Sequence, residues 1–351
     1  MKKEKILIFN ISTDSEDLAL GFAINWINKF SEHYDEIDVV TLNKGNTRLL
    51  NENINVYSHE TDSFNKIKKF VALRKIVKKL IRDNEYKYCL SHMTTALLVV
   101  GGTIFGFKNL KSVLWYTHIG PSTIFKKIIL RLGVTIADKI VTASDNSFPI
   151  NIGKVISIGH AISYKDFFQD TANRKSKDFL ILSRISSIKN IDVSIQGFLN
   201  SSFGKIQNIT IVGGPITKQD EDYENYLKEK YSEYQNVKFV GSVSHTDLSP
   251  FTEESGFHIN NTPLGSYDKS VLETMAGGLV NFYSNSDYDK NISSKYVEVL
   301  NFNGTQDDLT KKINLVYKLK SQELEEIVTF SQNRVKNESL ETIHERISKI
   351  I

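Results

Sequence analysis

Two hydrophobic patterns alternate along the first part of the chain. Short apolar runs rich in β-branched residues are followed by longer segments whose apolar residues recur three and four positions apart. The short runs predict strands and the spaced pattern predicts helices. The predicted strands are residues 5–11, 37–42, 88–91, 112–117, 139–142 and 155–158, and the predicted helices are residues 17–30, 64–83, 97–105 and 124–132. Strands alternating with helices predict crossover connections and a parallel sheet.

The same alternation starts again after a polar stretch at residues 165–177, which is the predicted linker. The later strands are predicted at 179–183, 209–212, 237–240, 257–260 and 279–282, and the later helices at 190–199, 220–234, 269–276, 306–319 and 321–351. We therefore predict an α/β protein with two doubly wound Rossmann-like domains, at residues 1–168 and 169–325. A C-terminal helix at 326–351 is expected to pack back toward the N-terminal domain. Because such sheets bind ligands beyond the carboxyl ends of their strands, two facing domains would place a site in a central cleft.

Composition places the chain among ordinary globular proteins. It has 351 residues, of which 40% are hydrophobic and 24% are charged, and this argues against disorder. Cys89 is the only cysteine, which excludes an intramolecular disulfide framework and fits a reducing compartment. The apolar run at 88–107 has the length of a membrane span, but its polar residues and glycines favour a strand followed by a buried helix. We therefore expect a cytoplasmic protein.

Positive charge is concentrated in the first half of the chain. Residues 1–170 hold 23 Lys and Arg against 17 Asp and Glu, and the remainder holds 21 against 24. The predicted helix at 64–82 has apolar residues on one face and basic residues on another, as in helices that lie on an anionic membrane surface, and the stretch 125–131 is similar. The alternative is an ordinary surface helix that packs on its own sheet. No nucleic-acid reader motif accompanies the charge, so we expect no nucleic-acid partner.

Two cations flank the turn between the predicted strand at 179–183 and the helix that begins at Asn190. A doubly charged leaving group such as a nucleoside diphosphate requires cations, and a helix N-terminus adds a partial positive charge. Arg184 and Lys189 are therefore candidate catalytic residues. The alternative is that they are two solvated loop charges.

A second segment, residues 262–278, has a tight turn that leads into a helix. Gly265 and Ser266 permit the turn, and the free backbone N–H groups at the start of the helix near Lys269 suit a phosphate or a sugar hydroxyl. Glu273 lies one turn into an otherwise apolar helix, where its carboxylate could bind a ribose diol. The alternative is a glutamate favoured by the helix dipole.

These two segments, in this order, resemble the donor-binding half of family 4 glycosyltransferases, which have the GT-B fold. The resemblance extends to residues 114–118, 139–144, 154–160, 209–214 and 236–245. It covers about residues 110–285 and is weaker before them. It implies an enzyme that transfers a sugar, with retention of configuration, from a nucleotide-sugar donor (UDP or GDP not resolved) to a glycan or lipid-linked acceptor. Surface polysaccharide biosynthesis is the implied pathway.

The resemblance also implies a role for particular residues. Diphosphate contacts are implied for Arg184 and Lys189, and a ribose contact for Glu273. The remaining candidates are the donor loop Gly265, Ser266, Tyr267, Asp268 and Lys269, the nucleobase pocket at Val240 and Gly241, and the sugar and acceptor side at His118, Ser12 and Thr13. Fixed cations and helix amides can stabilise the leaving diphosphate, so we expect neither a metal nor a cofactor other than the donor substrate.

Some positions depart from the family pattern. Gly265 stands where the family usually has a glutamate, Ser163 stands where it has an aspartate, and residues 10–17 replace its double-glycine loop. One alternative is therefore a catalytically degenerate sugar-nucleotide-binding subunit. Another is a different GT-B enzyme, a nucleotide-sugar epimerase or an inverting transferase, which requires an added carboxylate or histidine as acid or base. The Asp-x-Asp pairs at 220–222 and 287–289 resemble metal-binding pairs, but we interpret them as a helix start and a loop.

Overall fold

The computed structural model describes residues 4–17, 20–59, 65–117, 120–121, 123–170 and 176–351. The chain divides into two compact units. The first comprises residues 1–160 and 340–351, and the second comprises residues 161–339. The division lies before the polar stretch that we predicted as the linker, and residues 171–175 of that stretch lie outside the described residues.

The first unit contains a seven-stranded parallel sheet with the strand order β3-β2-β1-β4-β5-β6-β7. Its strands are β1 (Lys5–Thr13), β2 (Glu36–Lys44), β3 (Ile54–Tyr57), β4 (Cys89–His92), β5 (Ser112–Trp115), β6 (Lys139–Thr142) and β7 (Val155–Ser157). Its helices are α1 (Ala23–Ser31), α2 (Lys66–Asp83), α3 (Thr95–Lys108), α4 (Ile124–Ile136) and, at the C-terminus, α13 (Ile343–Ser348). The strand order reverses between β1 and β4, and such a reversal creates a crevice at the carboxyl ends of the two strands.

One hydrophobic core holds α2, α3 and α4 against the sheet. It includes Val77 of α2, Leu97 of α3 and Leu130 of α4, together with Leu7 and Phe9 of β1. The three helices therefore cover the same face of the sheet. Burial on both faces explains why most of these strands are continuous apolar runs rather than alternating ones.

The apolar face that we predicted for the basic helix α2 is divided in the structure. Val77, Leu80 and Ile81 are buried in the core, whereas Ile67 and Phe70 are exposed. The C-terminal part of the stripe therefore packs on its own sheet, as the alternative interpretation of this helix required, and only its N-terminal part faces solvent.

The second unit contains a five-stranded parallel sheet with the order β10-β9-β8-β11-β12. Its strands are β8 (Phe179–Leu182), β9 (Ile209–Val212), β10 (Val237–Gly241), β11 (Phe257–Asn260) and β12 (Val280–Tyr283). Its helices are α5 (Tyr164–Phe167), α6 (Ile191–Leu199), α7 (Lys218–Lys230), α8 (Ser249–Glu253), α9 (Lys269–Ala276), α10 (Ser294–Leu300), α11 (Gln306–Val316) and α12 (Ser321–Val335). The order reverses between β8 and β11, so the loops that follow these two strands meet at one crevice.

Most predicted elements are present, with shifted ends. The apolar run at 88–107 forms the strand β4 and the helix α3, as predicted, and no helix within the described ranges is long and apolar enough to cross a membrane. The prediction of one long helix at 321–351 was wrong, because α12 ends at Val335 and α13 begins only at Ile343. The prediction missed β3, whose sequence alternates Ile and Val with Asn and Tyr at the sheet edge.

Candidate active site

The two segments predicted to bind the donor are in contact in the structure. The Nζ atom of Lys189, in the loop after β8, lies 2.6 Å from Oδ2 of Asp268, in the loop after β11. Both side chains are largely buried, at 10% and 18% exposure. The contact lies at the strand-order reversal, where a doubly wound sheet binds its ligand.

A left-handed residue places Lys189 at this position. Lys189 ends a short 3-10 turn, and Asn190 follows with a φ of 46°, a conformation that asparagine tolerates better than most residues. The Nδ2 atom of Asn190 donates to the carbonyl of Asn261 at 3.2 Å, which joins the loops after β8 and β11 a second time. An ammonium has three donors, so Lys189 can keep its contact with Asp268 and still donate to a phosphate.

Arg184 lies on the same loop but is exposed. Within the described part of the chain, its guanidinium has no hydrogen-bond or ion-pair partner. The next residue fixes the backbone: Ile185 is buried, and its N–H donates to the carbonyl of Gly214 at 2.9 Å. Arg184 therefore projects from an anchored loop with its donors available to an anion.

Aromatic residues anchor the donor loop. Gly265 has a φ of 88°, in the region that favours glycine. Tyr267 is buried and stacks on Tyr288 at 4.7 Å, while its hydroxyl donates to Oε1 of Glu338 at 2.7 Å and accepts from Asn291 at 2.6 Å. The side chain of Tyr267 therefore anchors the loop, which leaves the loop backbone to face a ligand.

Asp268 organises the start of α9. Its carboxylate accepts from the hydroxyl of Ser266 at 3.2 Å and from Nδ2 of Asn260 at 3.2 Å, in addition to Lys189. Its backbone N–H donates to the hydroxyl of Tyr288. Asp268 therefore fixes the Lys189 ammonium close to the N-terminus of α9, so that a cation and the positive end of a helix lie together.

Lys269 adds a second ammonium at the first position of α9. Burial lowers its pKa to about 8, and the carboxylate of Glu273 opposes this shift. The lysine is therefore still largely protonated near neutral pH. Positive charge at this helix start favours an anionic ligand.

Glu273 is a buried carboxylate, 4% exposed, and α9 has no acidic residue in its first turn. The helix-dipole interpretation therefore does not account for it. Its Oε1 atom lies 2.9 Å from Nε2 of His245, and this hydrogen bond raises the pKa of His245, against the opposing effects of burial and of Lys269. Within the described part of the chain, Oε2 of Glu273 has no hydrogen-bond partner.

The predicted nucleobase residues lie close to His245 along the chain. Val240 and Gly241 are partly exposed at the end of β10, and Gly241 has a φ of 89° with open space where a Cβ atom would lie. The carbonyl of Gly241 accepts from Gly213 at 2.9 Å. The loop that follows carries His245 to Glu273, so the predicted base-binding segment lies beside the predicted ribose-binding residue.

The predicted acceptor residues lie at the reversal of the first sheet. Ser12 and Thr13 are buried at the end of β1, where Nδ2 of Asn10 donates to the Ser12 carbonyl at 2.6 Å and to Oγ1 of Thr13 at 3.3 Å. The Oδ1 atom of Asn10 lies 3.1 Å from Nδ1 of the buried His92. His118 lies outside the described residues. These side chains support the strand end, and a contact with an acceptor stays a prediction.

One aspartate of each Asp-x-Asp pair has a structural contact. Asp220 forms a reciprocal capping box with Thr217 at the start of α7. Asp289 accepts from Nδ2 of Asn301 at 2.9 Å. Within the described ranges, no group of three or more His, Cys, Asp or Glu side chains is placed to hold a metal ion.

Several residues of the site were not assigned from the sequence. His245 and Tyr288 act through contacts between segments that are distant along the chain, and no local pattern marks such contacts. Asn190 had one local signal: an asparagine between a turn and a helix is typical of a left-handed residue.

We expect the pair of His245 and Glu273 to make thermal stability depend on pH. The folded pKa of His245 is raised above its ordinary value of 6.5. The pair therefore stabilises the protein fully below pH 6.5, and this contribution is lost as the pH rises through the folded pKa. His245→Gln should lower the melting temperature most at acidic pH, measured by calorimetry over a pH series. A difference between wild type and variant that does not change with pH would contradict this role.

Comparisons with known proteins give a family match for the first part of the chain. Residues 15–144 match the family described as Glycosyl transferase 4-like. The match lies in the first unit, where the motif-based resemblance was the weaker one. No curated protein sequence matches the chain significantly.

Solved structures match over nearly the whole chain. HepE of Anabaena, in complex with UDP and glucose, has a TM-score of 0.77 at 15% identity, covering 99% of this chain and 98% of HepE. Sucrose-phosphate synthase of Thermosynechococcus elongatus has a TM-score of 0.75 at 13% identity, with 99% and 98% coverage. The lipopolysaccharide outer core galactosyltransferase WaaB, in its apo form, has a TM-score of 0.69 at 11% identity, with 99% and 100% coverage. The chain therefore has the GT-B fold, and residues 15–144 match a family described as Glycosyl transferase 4-like, in agreement with the resemblance to family 4 glycosyltransferases noted in the sequence.

Proposed function

We propose that the chain is a retaining glycosyltransferase that moves a sugar from a uridine diphosphate donor to a glycan or lipid-linked acceptor. The observation that carries the proposal is the contact of Lys189 with Asp268, which joins two loops beside the N-terminus of α9. Arg184 lies on the first of these loops, and Lys269 follows the second as the first residue of α9. The structures of HepE with UDP and with UDP-glucose support uridine as the base.

The cations supply the electrostatic part of the chemistry. Breaking the bond between the anomeric carbon and the phosphate oxygen leaves negative charge on the diphosphate. Arg184, Lys189 and the α9 amides would stabilise that charge, because fixed donors need no reorganisation during the reaction. A diphosphate oxygen would accept the proton of the acceptor hydroxyl as that hydroxyl bonds to the same face of the sugar.

Glu273 would hold the ribose. Oε1 accepts from His245, and Oε2 is left to accept from a ribose hydroxyl. His245 therefore orients the carboxylate for this contact. Synthesis of a surface polysaccharide in the cytoplasm is the setting that fits such a donor, and it stays a prediction.

A thermal-shift panel of nucleoside diphosphates tests the choice of donor. A ligand of the native state raises the melting temperature, and at equal concentration a tighter ligand raises it more. UDP should give the largest rise, above GDP, ADP and uridine. The absence of a rise with any nucleoside diphosphate would overturn the proposal.

Transfer should persist in excess chelator. The lysines, Arg184 and the helix amides would supply the stabilisation that a metal ion can give to a leaving diphosphate. The measurement is UDP release from UDP-sugars with and without EDTA. Complete loss of activity, restored by Mn²⁺ or Mg²⁺, would contradict this and would direct attention to the Asp-x-Asp pairs.

The alternatives differ in their products. A retaining transferase gives a product with the anomeric configuration of the donor, and an inverting enzyme gives the opposite one, which proton NMR distinguishes. An epimerase changes the donor without an acceptor. A degenerate subunit binds UDP in the thermal-shift panel but neither transfers nor hydrolyses the donor.

A further inference from the structure

Large apolar side chains lie exposed along α4. Ile124, Phe125, Ile128 and Leu132 are 79%, 71%, 53% and 46% exposed, whereas Leu130 is buried. Single exposed apolar residues are ordinary on a protein surface, but a contiguous group on one helix marks an interaction site.

The start of α2 presents a similar group. Ile67, Phe70 and Val71 are 75%, 43% and 45% exposed, although the rest of the helix buries its apolar side chains in the core. We call the seven exposed residues of α2 and α4 the apolar rim.

The apolar rim begins at one edge of the first sheet. α2 follows β3, and α4 follows β5. A helix after a parallel strand begins at the carboxyl edge of the sheet and returns toward the amino edge. Both helices cover the same face, so their first turns lie along the edge where β1 ends with Ser12 and Thr13.

Exposed basic side chains accompany the apolar rim on both helices. On α4 these are Lys126, Lys127 and Arg131, and on α2 they include Lys68, Lys75, Lys78 and Lys79. α4 contains no acidic residue, and α2 contains only Asp83, which pairs with Arg82 at 2.7 Å. Exposed apolar side chains flanked by cations on two helices are the pattern of a surface that inserts side chains into an anionic bilayer.

We propose that the apolar rim docks the first unit on an anionic membrane, with the carboxyl edge of its sheet toward the lipid. A second copy of the chain is disfavoured as the partner of this surface, because a symmetric interface would place the cations of one copy against those of the other. If the proposed function holds, on which this statement rests, an acceptor carried on a lipid would lie at the edge that holds Ser12 and Thr13.

Vesicle sedimentation of the full chain tests the docking. The probes are phosphatidylcholine vesicles with and without phosphatidylglycerol. Wild type should bind the anionic vesicles, and a triple variant, Ile124→Ser with Phe125→Ser and Ile128→Ser, should bind at least about tenfold more weakly, because inserted apolar side chains contribute most of their transfer free energy. The matched control, Ile206→Ser with Leu315→Ser, removes exposed apolar side chains of the second unit and should bind as wild type does.

A charge variant tests the second half of the argument. Lys126→Gln with Lys127→Gln and Arg131→Gln should weaken binding roughly fivefold for each side chain, and raising the salt concentration should reproduce the effect. Two further changes, Lys68→Gln and Lys75→Gln, should weaken binding further. Equal binding to neutral and anionic vesicles would overturn the anionic part of the proposal.

Donor hydrolysis separates this inference from the proposed function. All the variants should hydrolyse UDP-sugars as wild type does, because the predicted donor residues lie in the second unit. Hydrolysis without vesicle binding at any ionic strength would overturn the docking and leave the proposed function standing. If wild type bound vesicles, the triple variant did not, and neither hydrolysed the donor, the docking would stand and the proposed function would be overturned. Self-association that the triple variant abolishes, measured by sedimentation velocity, would overturn the docking in favour of a second copy.

Discussion

Arg184→Ala and Lys189→Ala are each expected to lower sugar transfer by about 10²–10³-fold, the usual effect of removing one group that stabilises developing charge. Arg184 is exposed, and Lys189 contacts the protein chiefly through Asp268, so neither change should unfold the chain. The measurement is the kcat of UDP release during transfer, with the melting temperature as a check on folding. Full activity in both single variants would contradict the diphosphate assignment.

Two controls sharpen this experiment. Lys318→Ala removes an exposed lysine that follows the C-terminal end of α11. The link to the site is at the other end of this helix, where the carbonyl of Gly304 accepts from Asn261. It should leave transfer unchanged. In Lys189→Ala the carboxylate of Asp268 loses its cation, so the double variant with Asp268→Asn separates the two effects. Recovery to near wild-type transfer in the double variant would mean that Lys189 only neutralises Asp268.

Glu273→Gln is expected to weaken UDP binding by about 10- to 100-fold, because a hydrogen bond to a charged acceptor contributes roughly 1.5–3 kcal/mol. The affinity for 2′-deoxy-UDP should fall less, since that nucleotide lacks one hydroxyl of the ribose diol. Calorimetric titration of both nucleotides into wild type and variant measures the difference. The ratio of the two affinities should move toward one in the variant.

A matched glutamate supports the interpretation of that ratio. Glu229→Gln changes an exposed carboxylate on α7 and should leave both affinities unchanged. If Glu273→Gln weakened UDP and 2′-deoxy-UDP equally, the carboxylate would act on the structure of α9 through His245 rather than on the ribose.

The sequence predicts local structure well where the pattern is strong. β6, β9, β11 and α9 were predicted with the bounds that the structure shows, because each is an uninterrupted apolar or helical run between turn residues. β3 was missed, because an edge strand is covered less completely and its mixed pattern does not indicate burial.

The site could be predicted only in part. Residues that share one segment, such as Arg184 with Lys189 or Gly265 with Lys269, are close in the sequence, and their chemistry is visible there. The contact of Lys189 with Asp268 and that of His245 with Glu273 join different strands of the sheet. Such pairs depend on the strand order, which no local pattern specifies. The same holds for the apolar rim, since exposure is a property of the packed helices.

The central claim is that the second unit binds a nucleoside diphosphate through its cations. Calorimetric titration of UDP and of uridine into the full chain, in excess EDTA, tests it most directly. The account predicts that UDP binds at least about 100-fold more tightly than uridine, because charge-assisted contacts to Arg184 and Lys189 are worth roughly 1.5–3 kcal/mol each. Equal affinity for the two ligands, or no binding of UDP, would contradict it.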